Sequence, residues 1–156
     1  MTAAFAGPIT FADGCIATLK ADPTLAGKVS THFPGKMLRY FVGIDEAFLP
    51  EANNCPYLAF QPGDYQIDSS DAFKRIALRV ALIVAKNGDD EEAALVVRMK
   101  TLVALEDLVP TIIGILKPYC ITKFGRRDGI TFSAITTTVA LPLSSASFSV
   151  EAQDDI

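Results

Sequence analysis

The sequence predicts an α+β fold, and three stretches predict it. In Phe73 to Lys86, FKRIALRVALIVAK, Ile76, Leu78, Val80, Leu82 and Val84 occupy every second position, with Arg75, Ala77, Arg79, Ala81 and Ile83 between them. One face is therefore apolar and the other mixed, which is the period of a strand. Ile130 to Leu141, ITFSAITTTVAL, alternates in the same way and predicts a second long strand. Between the two, Leu95, Met99, Leu102, Leu105, Val109, Ile113 and Leu116 recur at three- and four-residue steps, the stripe of a helix lying along a sheet. At roughly 3.3 Å per residue the first strand would reach about 40 Å. That length sends it through the middle of a sheet or out of its own domain toward a neighbour.

The remaining elements follow in order. Thr10 is placed to cap a helix that Asp22 and Pro23 end, and Phe11, Cys15, Ile16 and Leu19 share its docking face. From Lys28 to Ser70 the chain mixes Pro and Gly with many aromatics. A strand is expected around Met37 to Ile44 and a short one from Tyr57 to Gln61, before Pro62 and Gly63 turn the chain. Short strands, rigid punctuation and aromatics together predict that residues 28–56 form a projecting loop or arm that packs on a partner, although a long loop folded on its own domain satisfies the same pattern. Asn87 and Gly88 predict a turn, and Asp89, Asp90, Glu91 and Glu92 suit the positive end of a helix. Pro110 should kink or restart that helix and Pro118 stop it. A short strand is expected from Tyr119 to Phe124, a turn with a charged tip at Gly125 to Gly129, and the end of the last strand at Pro142. Residues 1–143 are thus one domain, with 144–156 a Ser-rich, acidic tail or short edge strand.

Composition narrows the function. Of the 156 residues, 50% are hydrophobic and 21% charged. The mean hydropathy of +0.31 predicts that part of the surface is covered by other subunits. A net charge of −4 and a pI near 4.9 argue against general nucleic-acid binding, which needs clustered Lys and Arg. An acidic surface could still line a channel that DNA passes without sticking. Cys15, Cys55 and Cys120 form no CxxC pair and have no neighbouring His, so reduced thiols and no metal are expected. Neither a secretory leader nor a membrane span can be drawn, which predicts a soluble intracellular product.

No catalytic constellation emerges. His32 has no nucleophile near it in sequence, and Gly27-Lys28 and Gly35-Lys36 lack the spacing and the Ser or Thr of a phosphate loop. The expectation is a protein without enzymatic activity or cofactor. The candidate partner interface comprises the aromatics Phe33, Tyr40, Phe41 and Phe48, together with Arg75 and Arg79 on the mixed strand face and Arg126 and Arg127 at the charged turn.

Four features carry a resemblance. They are Cys55-Pro56-Tyr57-Leu58-Ala59-Phe60, an entry to the sheet; the strand from Phe73 to Lys86; the acidic helix start expected at Asp89 to Glu92; and Phe132-Ser133-Ala134 running on to Leu141-Pro142, the aromatic-small start of a last strand closed by proline. Over most of residues 52–142 the chain resembles the tail-terminator or tail-completion proteins of tailed bacteriophages, the family of the phage lambda U-type minor tail protein. It departs from the smaller members in its long Lys28 to Cys55 insertion. The resemblance implies a mixed, mainly antiparallel sheet with helices packed on one face. It further implies a homo-oligomeric ring, six copies, at the head-proximal end of the tail tube, assembled in the host cytoplasm. Such a ring stops tube polymerisation and joins the tail to the neck or connector. Its partners would be other copies, the tube protein, the neck or connector and, in a contractile tail, the sheath, with DNA only passing through the lumen. The alternative is a small non-enzymatic adaptor, or another neck subunit, that grips a partner with its aromatic arm.

Overall fold

A computed structural model describes residues 7–43, 55–67, 73–85, 91–93, 95–124, 130–140 and 143–155. In chain order these form α1 (Pro8–Lys20), α2 (Pro23–His32), β1 (Arg39–Val42), β2 (Tyr57–Ile67), β3 (Phe73–Ala85), β4 (Glu91–Ala93), β5 (Val96–Arg98), α3 (Lys100–Phe124), β6 (Ile130–Phe132), β7 (Thr136–Ala140) and β8 (Leu143–Asp155). The fold is α+β. A six-stranded sheet runs β1-β2-β3-β8, with β6 and β7 sharing the far edge of β8, while β4 and β5 form a separate two-stranded hairpin. Only β1 and β2 are parallel; every other pair is antiparallel.

The expected strand over Phe73 to Lys86 is β3, and it is central, flanked by β2 and β8. Ile76, Leu78, Val80, Leu82 and Val84 are all buried, whereas Arg79 is exposed on the other face. Cross-strand register carries the alternation across the sheet: Phe60, Val80 and Phe148 lie side by side, as do Leu58, Leu82 and Ala146. Burial of such a row stabilises both the sheet and the helices above it, at about 1.5–3 kcal/mol for each large side chain.

Helices cover this face. On α1, Phe11, Ala12, Cys15, Ile16 and Leu19 point inward. Asp22 and Pro23 end α1 as expected, but they also start α2: the Asp22 carboxylate accepts from the N–H groups of Thr24 (2.9 Å) and Leu25 (3.1 Å), and Pro23 sits at the first helical position. The helix α3 continues through Pro110 and Pro118, correcting the expected break into two helices and the stop at Pro118. Glu106, Pro110, Gly114 and Pro118 form one exposed stripe at four-residue steps. Each proline therefore deprives only a carbonyl that faces water. The inward stripe of Leu105, Leu108, Ile112 and Leu116 continues to Cys120, so Tyr119 to Phe124 is the end of this helix and not a strand.

Four further expectations are corrected. Glu91 to Ala93 is a strand, not a helix start, and Leu95 belongs to its hairpin tip and not to the helical stripe; the β-branched pair Val96-Val97 favours extended backbone. β2 does not turn at Pro62 but continues to Ile67 after a register shift of one residue between Pro62 and Tyr65. The C-terminal stretch is not a tail: β8 runs thirteen residues through the interior of the sheet. The expected strand over Ile130 to Leu141 is two pieces, β6 and β7, both on β8. The register slips by one between them, and the bulge is closed by Ser133, whose N–H donates to the Ser149 carbonyl (2.9 Å) while its Oγ accepts from the Ser149 N–H (2.7 Å).

Candidate assembly surface

The sheet is one-sided. On the face away from the helices, β3 presents Ala77, Arg79, Ala81, Ile83 and Ala85, and β8 presents Leu143, Ser145, Ser147, Ser149 and Glu151, none of them fully buried. Thr136 and Thr138 of β7 extend this face and are exposed. No described element packs across it. At one end Cys55, Tyr57 and Ala59 gather with Phe41, Ile83, Ala85 and Leu143 in a small second apolar cluster, in which the Phe41 and Tyr57 rings meet edge to face at 5.3 Å.

The expected interface residues are dispersed. Phe33 is 4% exposed and belongs to the main core, so it is not an interface residue. Its burial, with α2 and β1, places residues 28–43 in the body of the domain and not in an arm. Tyr40 packs on the helix-covered side against the core, with the Lys20 ammonium over its ring at 5.6 Å, and burial pushes its phenol up to about 12. Phe41 and Arg79 share the open face, where Phe41 aligns with Ala59 and Arg79 with Gln61. Arg75 lies on β3 opposite Gln66 and Gln153. Phe48, Arg126 and Arg127 lie outside the described residues, as does the rest of the expected arm at 44–54 and the charged turn.

A polar cluster escaped the sequence reading. Asp107 of α3 receives Lys28 on one carboxylate oxygen (2.9 Å) and His32 on the other (2.8 Å), and Lys28 also donates to Thr111 (2.8 Å). Two pairs at four-residue spacing, Lys28 with His32 and Asp107 with Thr111, face each other across α2 and α3. That spacing was visible in the sequence, but only once α2 is recognised as a helix does it mean one face. The cluster is a helix-to-helix tie with both carboxylate oxygens engaged. The hydrogen bond from His32, then that from Lys28, holds the Asp107 carboxyl below its ordinary 3.8. A carboxyl lowered on folding contributes stability above its unfolded value and loses it as pH falls through the folded one. Asp107→Asn should therefore melt below wild type near neutral pH, by about 0.5 kcal/mol given a side chain 40% exposed. The two proteins should converge in melting scans as pH falls through the lowered folded-state value of Asp107, because the wild-type carboxyl is then protonated too.

Other polar groups serve the fold. The buried Ser144 hydroxyl donates to Thr101 (3.0 Å), tying β8 to the first turn of α3. Cys15, Cys55 and Cys120 are free and buried. The neighbouring Cys120 thiol and burial push the Cys15 thiol far up. Among the described residues no group of three or more His, Cys, Asp or Glu is placed to hold a metal, and no helix is long and apolar enough to cross a membrane.

These features define a two-layer α+β domain in which, among the described residues, no helix packs on the second sheet face. The chain matches no protein-family model, and no curated protein sequence matches it.

Proposed function

We propose that the protein is a structural subunit of a tailed-phage particle, a tail terminator that assembles as a ring at the head-proximal end of the tail tube, stops tube growth and joins the tail to the neck or connector. The observation that carries this reading is the one-sided sheet: helices on one face, and on the other a broad surface of Ala, Ser and Thr that no described element covers. Several apolar side chains are exposed as well, among them Ile9 (60%), Met37 (85%) and Leu95 (95%). Such surface favours coverage by other subunits. The sequence resemblance over most of residues 52–142, carried by the sheet entry at Cys55 to Phe60 and the Phe73 to Lys86 strand after the corrections above, suggests the kind of assembly, and the net charge of −4 per copy suits a ring through which a polyanion passes without being held. The adaptor reading needs a free aromatic arm, and of its aromatics Phe33 lies in the core while Tyr40 and Phe41 are packed on the sheet.

The test is the particle. Light scattering and negative-stain electron microscopy of the purified protein, alone and mixed with isolated tail tubes, should give rings of about six copies seated on one tube end. A monomer that leaves the tubes bare and free to elongate would overturn the proposal.

A further inference from the structure

The β4–β5 hairpin is an unusual object. Among the described residues it pairs with no strand of the main sheet, and in its two-residue connection, with Ala93 opposite Val96, Leu95 has φ 66°. That left-handed conformation favours glycine or asparagine, and two-residue hairpin turns normally use them. Here the position holds a leucine 95% exposed, followed by Val96 at 48%. At that exposure the Leu95 side chain packs on none of the described residues.

A receptor of matching character lies elsewhere on the domain. Between α1, α2 and the segment leading into β1 is a cavity of about 410 Å³, walled by Leu19, Leu25, Val29 and Leu38 and lined also by Lys20 and Lys36. Met37, 85% exposed, stands beside it. The charges match as well: β4 opens with Glu91 and Glu92 against the single Arg98 of β5, while the cavity contributes two lysines. A second apolar groove of about 320 Å³, between α3 and β7, has Glu106 in its lining and would repel the same hairpin.

We infer that the Leu95–Val96 hairpin tip of one copy seats in the α1–α2–β1 cavity of a second copy, and that this is the joint of the assembly. The inference rests on the ring reading above and adds the contact. Tip and cavity are different surfaces, so the joint is head-to-tail, the kind that closes into a ring or propagates as a filament, and not a two-fold dimer.

Leu95→Gly separates the docking role from a local one. Glycine relieves the positive φ and removes the side chain, so the variant should melt at or above the wild-type temperature while its association, measured by sedimentation over a range of concentrations, weakens about tenfold or more. As a check on the receptor, Leu95→Cys and Met37→Cys, made as separate chains and mixed under mild oxidation, should give a disulfide-linked pair of chains that neither gives alone; the native thiols are buried. If wild type forms oligomers and Leu95→Gly forms them equally well, the joint is wrong while the ring reading stands. If wild type stays monomeric at every concentration, both fall. Cross-linking of Leu95→Cys to itself as efficiently as to Met37→Cys would replace the head-to-tail joint with a symmetric one.

Discussion

Ending the chain at Pro142 is expected to leave no cooperatively folded protein. The removed segment contains all of β8, which pairs with β3 from Phe73↔Asp155 to Ala85↔Leu143 on one side and with β6 and β7 on the other. Without it the β6–β7 edge has no strand to pair with and β3 becomes an exposed edge. The core would also lose Ala146, Phe148, Val150 and Ala152, each at most 3% exposed. Truncating a buried Phe to Ala costs about 3–5 kcal/mol by itself, a large fraction of the roughly 5–15 kcal/mol by which a domain is stable. Circular dichroism melting and amide dispersion in NMR spectra would report the loss. A sharp melt in the truncated chain would show that β1, β2 and β3 hold the helices unaided.

Val80→Asp should be nearly as damaging, and Arg79→Ser close to silent, although the two residues are neighbours. Val80 is fully buried between Phe60 and Phe148 in the register, so an aspartate there is a carboxylate without a described partner in an apolar row. The penalty is about 3–5 kcal/mol, or a melting point lower by about 10 °C or more. Arg79 faces away from the helices and is exposed, so its replacement should stay within about 0.5 kcal/mol. Equal melting points for the two variants would mean that the helix-covered face is not the core.

The contrast shows what could be read in advance. β3 was legible because its buried positions are Ile, Leu and Val, whose alternation is unmistakable. β8 alternates just as strictly, but with Ser144, Ala146 and Ala152 on the inside and serines on the outside, so small residues flatten the pattern and the stretch reads as a polar tail. The helix α2 hid behind Asp22 and Pro23, which signal a stop and a start equally well. α3 defeated the proline rule because both prolines fall on its water-facing stripe, a fact of orientation that position in the chain does not give. The candidate site was less legible than the fold. Aromatic content alone did not distinguish Phe33, a core residue, from Phe41, on the open side; Leu95 was assigned to a helix because the leucine spacing happens to fit one.

The interior position of β8 also sets the order in which this molecule can be built. Its residues meet partners on β3 that lie between 58 positions (Ala85 to Leu143) and 82 positions (Phe73 to Asp155) upstream. During synthesis β3 must therefore wait, with one side of its ladder unpaired, until the whole of α3 and the β6–β7 edge have left the ribosome. Closing so long a loop is entropically slow. Over that interval the nascent chain offers a sticky template to other nascent chains, and refolding yield should fall steeply as concentration rises.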